Sequence, residues 1–192
     1  MGRRKAFDPD TALERAMEVF WLKGFQATSV SDLLEAMAIN RFSMYQTFGG
    51  KEALFLAALE LYRRRWSAMI GEHLTRPGRA RAVLADLLRQ MGQQVVGDRL
   101  GRGCLIANSA AESRWLNPGA AALVRCSVAS LEDAFARMLE RAAAEGDLDA
   151  SKDPRAHARF LIAAMNGIRD VAKLDRDPKR IHALVESLLA TL

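Results

Sequence analysis

Apolar residues recur along this chain at spacings of three and four, with polar positions filling the turns between them. Leu13, Ala16, Met17, Phe20 and Trp21 make one such stripe. Val83, Leu84, Leu87, Leu88, Met91 and Val95 make a second, and Ile181, Leu184, Val185, Leu188, Leu189 and Leu192 a third. Residues three and four apart share one face of an α-helix, so the pattern predicts amphipathic helices. No stretch sustains the alternation of a half-buried strand. The expectation is an all-α protein of about nine helices.

Proline and small polar residues place the ends. Asp8-Pro9, Asn117-Pro118 and Asp153-Pro154 each read as an N-cap followed by proline in the first turn, where its missing N–H costs nothing. Ser29 and Asp32, three apart, have the spacing of a reciprocal capping box. Gly24 suits the residue that closes the first helix. The predicted helices lie near 9–23, 30–37, 41–47, 51–75, 79–97, 103–115, 118–145, 154–173 and 178–191. The first three are short, and the later ones are longer and richer in Ala and Leu. This composition shift suggests a small N-terminal domain, 1–50, and a larger helical one, 51–192.

The helices at 30–37 and 41–47 are separated only by Ala38-Ile39-Asn40, the arrangement of a helix-turn-helix. The second helix of that motif enters the DNA major groove. Met44 and Phe48, four apart, are expected to face inward, leaving Ser43, Tyr45, Gln46 and Thr47 outward. No acidic residue occurs from Ala36 to Lys51, as a surface meeting phosphates requires. Overall charge adds little. Residues 1–51 hold seven basic and six acidic side chains, and the whole chain of 192 residues carries +5.

Gly24-Phe25-Gln26-Ala27-Thr28-Ser29-Val30, then Ile39-Asn40-Arg41 to Tyr45, then Phe48-Gly49-Gly50-Lys51-Glu52-Ala53-Leu54-Phe55 resemble the head of a TetR-type transcriptional regulator. The resemblance runs from Asp8 to about Leu61, and beyond it only helix pattern and length match. It implies an N-terminal three-helix helix-turn-helix domain followed by a helical ligand-binding and dimerisation domain. It implies double-stranded DNA as partner, through a palindromic operator. Thr28 and Ser29 would then hold phosphate; Asn40, Arg41, Phe42, Ser43 and Gln46 would meet bases or phosphates; Tyr45 and Lys51 would meet phosphates. Arg3, Arg4 and Lys5 are a candidate DNA arm or a plain solvated terminus. Two positions depart from the family pattern. Ala38 occupies a turn position where glycine is usual, and Phe42 one where a small residue or proline is usual.

The resemblance also implies a homodimer. Phe160, Ala164, Gly167 and Ile168 on one helix, with Ile181, Leu184 and Leu188 on the next, are the expected interface; the plainer alternative is that both stripes face the monomer core. A small organic effector is expected among the middle helices, at Trp66, Met91, Cys104, Asn108, Glu112 and Trp115. Cys104 and Asn108 share a helical face with Glu112 or Ala111, and Gly-Cys-Leu openings occur in regulators that resemble electrophile sensors. Cys104 as a reactive switch is therefore an alternative, beside its ordinary role as a small apolar side chain. A helical ligand-binding or enzymatic protein whose helix-turn-helix is only structural is the alternative from another class; steep salt dependence of DNA binding separates the two.

Other chemistry finds no support. Gly101-Arg102-Gly103 lacks a third glycine and a preceding strand. Asp147, Asp149 and Asp153 hint at a calcium loop, but Lys152 replaces its turn glycine and Ala158 its final acid. His73, His157 and His182 are far apart, and no nucleophile–base pair is legible. No metal, cofactor or catalytic site is expected. Two cysteines cannot form a disulfide scaffold, no apolar run approaches the ~20 residues of a membrane span, and the start lacks an apolar signal core. A cytoplasmic protein is expected.

Overall fold

The structure is a computed structural model describing residues 7–149 and 151–192, so the Arg3-Arg4-Lys5 arm lies outside the described residues. The described residues form α1 (Pro9–Ala27), α2 (Val30–Met37), α3 (Arg41–Phe48), α4 (Lys51–Leu74), α5 (Ala80–Gly97), α6 (Leu105–Ala111), α7 (Pro118–Ala144), α8 (Pro154–Leu174) and α9 (Pro178–Leu189), with a 3-10 turn at Ser113–Trp115. There is no strand among them. The all-α expectation holds, and the helix expected over 103–115 is instead the short α6 followed by that turn.

The caps form where the sequence placed them. Asp8 accepts from the backbone N–H groups of Asp10 and Thr11. Ser29 and Asp32 close a complete capping box. Asp153 accepts from Arg155 N, and Asn117 Oδ1 from Ala120 N at 2.8 Å. Each satisfies donors that a helix start leaves without an intrahelical acceptor.

The chain divides into two compact units. Of the described residues, one holds those up to Arg65 together with Leu105–Arg125; the other holds those in Trp66–Cys104 and Cys126–Leu192. The segment around α6 thus packs with the N-terminal helices, across the 50/51 boundary that composition suggests. The first unit is built on Ala16, Met17, Phe20, Leu33, Met44, Leu54, Phe55 and Leu59, all buried. Phe55 meets Phe20 edge-on with ring centroids 4.9 Å apart and Phe25 at 4.8 Å. The second unit buries one face each of α5, α8 and α9 around Leu84, Leu87, Leu88, Phe135, Leu161, Met165 and Ile181. Ile168, Ile181 and Leu188, expected at a dimer interface, belong to this core of the chain itself. Their stripe is wider than one contact face, and its middle turns inward.

Candidate nucleic-acid interface

The turn between α2 and α3 is closed by Ala38 N donating to Glu35 O at 3.1 Å and Ile39 N to Leu34 O at 3.2 Å, a Schellman pattern. That pattern needs a left-handed residue, and Ala38 supplies it at φ 55°, ψ 43°. It is the only non-glycine with positive φ among the described residues. Asn40 then caps α3, its Oδ1 accepting from Ser43 N at 2.8 Å. Inside, Met44 is fully buried and anchors the helix. Outside, Arg41, Phe42, Tyr45 and Gln46 are exposed, Phe42 by 73%. Residues 41, 42, 45 and 46 follow helical spacing, so these four side chains form one continuous face. Ser43 is half-buried beside it. The face carries donors, acceptors and two rings, and no carboxylate.

At the start of α2, Thr28 is buried and its hydroxyl donates to Gly24 O at 2.5 Å. This corrects its expected role, because that hydroxyl is not available to a phosphate. Ser29 is exposed, but its backbone N–H donates to Asp32 Oδ2 at 2.8 Å. Its side-chain oxygen already accepts from Asp32 N, and its hydroxyl bonds the Asp32 carboxylate, so a phosphate would compete with Asp32 for that hydrogen. Lys23 Nζ lies 2.8 Å from Asp32 Oδ1. That bond, with those from Ser29, holds the Asp32 carboxyl down to about 2. At the start of α4, Lys51 Nζ stands 4.4 Å from the centroid of the Phe25 ring. A lysine in a first turn opposes the helix dipole, and the ring face offsets part of that cost.

No local spacing signals the contact at the end of α1. Gly24 breaks the helix at φ 79°, ψ 173°. The next two amides have a side chain as acceptor: Phe25 N donates to Glu112 Oε2 at 2.7 Å, and Gln26 N points to Glu112 Oε1 at 3.4 Å. Glu112, expected to line an effector site, therefore has its carboxylate on the backbone of α1. Such a partner cannot be found from local spacing, because it lies 87 residues away.

The other effector candidates fall in both compact units, Trp66, Met91 and Cys104 in one and Asn108 and Trp115 in the other. Met91 and Cys104 are buried, and Cys104 packs as a small apolar side chain does. The Arg169 guanidinium, itself buried, lies 5.4 Å from the Trp66 ring centroid. Asn108 is half-buried. Trp115 departs from the expected buried wall: it sits in the 3-10 turn, half exposed, with Arg114 5.2 Å from its ring. Of the interface candidates, Phe160 and Gly167 are exposed, and Ala164 and Leu184 partly so. Among the described residues no cluster of metal-ligating side chains forms, and no helix is long and apolar enough to cross a membrane.

Two family descriptions match the chain. Residues 12–58 match the bacterial regulatory proteins of the tetR family, and residues 77–188 the tetracyclin repressor-like C-terminal domain. Among curated proteins, the chain is 34% identical to the uncharacterized HTH-type transcriptional regulator YezE of Bacillus subtilis, over the full length of both. It is 29% identical to the transcriptional repressor ComR of Escherichia coli, over 91% of this chain and 86% of that one. Among solved structures, it resembles a cysteine mutant of the TetR family regulator CifR in complex with 26-bp operator DNA. That match has a TM-score of 0.85 and 34% identity over 98% of each chain.

Proposed function

The chain belongs to the TetR family of transcriptional regulators, and from that premise we propose that it is a homodimeric repressor which a small organic effector releases from a palindromic operator. Membership makes it a DNA-binding regulator and not an enzyme. The observation that carries the DNA side is the exposed, carboxylate-free face of Arg41, Phe42, Tyr45 and Gln46 on α3. The capped α3 start and the closed turn before it hold that face rigidly, which is what reading base edges requires.

In this mechanism α3 lies in the major groove. Arg41 and Gln46 offer the hydrogen bonds that base edges or phosphates accept, and the Tyr45 and Ser29 hydroxyls and Lys51 meet phosphates. One head reads too few base pairs to select a site. Two copies related by a two-fold axis read half-sites about 34–36 Å apart. Repression is the role that ComR carries by name, and CifR is likewise complexed with operator DNA. The effector is assigned to the apolar residues Trp66 and Met91, with Cys104 in the same compact unit. It acts on α4, whose first turn carries Lys51 and whose later turns carry Trp66. A ligand shifts such an equilibrium only by its unequal affinity for the DNA-competent and DNA-incompetent states.

Selection of bound sequences from random duplex DNA tests this directly. A palindrome is expected, with affinity falling steeply as salt rises, and with Arg41→Ala and Gln46→Ala each weakening binding about 5- to 100-fold. Absence of any enriched sequence at moderate salt, in protein stripped of small molecules, sinks the proposal.

A further inference from the structure

Most of the polar contacts of the reading head are local: a cap and its helix, or a lysine and the next helix. The bonds that Glu112 accepts are different. Gly24 interrupts α1, and the amides that follow it are in the position of a helix start, with no carbonyl one turn earlier to accept them. A carboxylate placed on such amides behaves as an N-cap, and its charge strengthens both bonds. Here the carboxylate arrives from the residue that follows α6. It is held there by Glu112 N donating to Asn108 O at 3.3 Å and Trp115 N donating to Glu112 O at 2.9 Å.

The corner admits this carboxylate only because residue 24 is glycine. A Cβ on Gly24 would stand 2.7 Å from Glu112 Oε1. The other side of the corner is fixed as well. Thr28 Oγ1 donates back to Gly24 O at 2.5 Å, and the Phe25 ring packs against Phe55 and under the Lys51 ammonium. Ser29, the N-cap of α2, follows directly. The path from Glu112 to the start of the helix-turn-helix is therefore five residues of chain, Gly24 to Thr28, with each end hydrogen-bonded.

We propose that Glu112 is a positioning residue for operator binding: its carboxylate sets the angle at which α2 and α3 leave α1, and so places Ser29 and the α3 face together on the DNA. The assignment rests on α3 being the reading helix. It gives Glu112 a task that touches neither DNA nor effector. It also makes α6 a lever, because any displacement of α6 that lengthens these bonds beyond about 3.5 Å releases the corner.

The test measures operator affinity as a function of salt, with melting temperature alongside, for the wild type, Glu112→Gln, Glu112→Ala, Gly24→Ala and the double variant. Glu112→Ala should weaken operator binding by about 10-fold or more at fixed salt. Its plot of log affinity against log salt should also be flatter by about one phosphate contact per half-site. Glu112→Gln, whose amide oxygen still accepts one N–H, should recover part of both. Gly24→Ala should reproduce the defect, by the strain of a Cβ at φ 79° as well as by pushing the carboxylate away, and adding Glu112→Ala to it should cost little more, the non-additivity of two changes that disrupt one corner. The assignment is overturned if Glu112→Ala binds within twofold of wild type. It is equally overturned if affinity falls only in step with the folded fraction while the salt slope is unchanged, or if the two changes add. A wild-type chain that binds no operator would instead remove the premise that α3 reads DNA, and the assignment with it.

Discussion

Ala38 pays in backbone strain for the tight turn before α3. At φ 55° its Cβ crowds the following carbonyl, at a cost of roughly 1–2 kcal/mol, while glycine there would lose about 0.5–1 kcal/mol of chain entropy. The strain is the larger of the two. Ala38→Gly should therefore raise stability by about 0.5–1 kcal/mol, visible as a melting temperature a few degrees higher. Because the turn keeps its shape, the selected operator should not change. Phe42 makes the opposite prediction. Its ring is 73% exposed, so Phe42→Ala should leave the melting temperature where it is. An exposed ring beside base edges finds its apolar partner in the C5-methyl of thymine. Replacing one operator thymine by uracil should then weaken the wild type by about fourfold, the value of roughly one buried methyl at ~0.8 kcal/mol, and leave Phe42→Ala indifferent. A wild type equally indifferent at every thymine shows that the ring meets only backbone or solvent.

Elements were legible from the sequence where their determinants are local. Asp8 before Pro9, Ser29 with Asp32 and Asp153 before Pro154 act over two or three residues, and each forms as the spacing predicts. The acid-free α3 face needed only helical period and charge. What was not legible depends on distant partners. The end of the helix expected over 103–115 is a separate turn whose preceding residue, Glu112, bonds to α1. The apolar stripes of α8 and α9 could not say which half meets the chain's own core. Packing between α5 and α9 shows the same dependence on distant partners. A Cβ on Gly92 of α5 would stand 2.7 Å from Val185 Cγ2 of α9. Alanine gains about 1 kcal/mol over glycine in a helix interior. Overpacking against a side chain as stiff at χ1 as valine costs about 1–3 kcal/mol, and here it should win. Gly71 of α4 has nothing within 4 Å of the same position. Thermal melts should thus separate the pair: Gly71→Ala more stable, Gly92→Ala less stable. Equal gains from both would mean that α5 and α9 are not this close.

For the whole molecule, the proposed homodimer needs a surface that brings two chains together. α8 buries Leu161, Met165, Ile168 and Ala172 in its own unit, and leaves Phe160, Ala163, Gly167 and Leu174 outward. Phe160 is 50% and Leu174 93% exposed, apolar surface that a second copy would cover. Gly167 separates the two roles of this helix cleanly. A side chain there meets nothing within 4 Å in the chain itself, so Gly167→Glu should leave the fold of the monomer intact. On the two-fold axis of the proposed dimer the same change would set a carboxylate of each copy against its symmetry mate and force apart helices expected to approach closely through small residues. Sedimentation should therefore show a folded monomer in place of the dimer proposed for the wild type. Operator affinity should fall toward that of one half-site, because each head alone reads too little to hold. Ile181→Ala acts by the other route. Ile181 is fully buried in its own chain, so its truncation should cost about 2–5 kcal/mol of stability before it affects association. A Gly167→Glu chain that remains dimeric and binds the operator fully would move the interface off this face of α8.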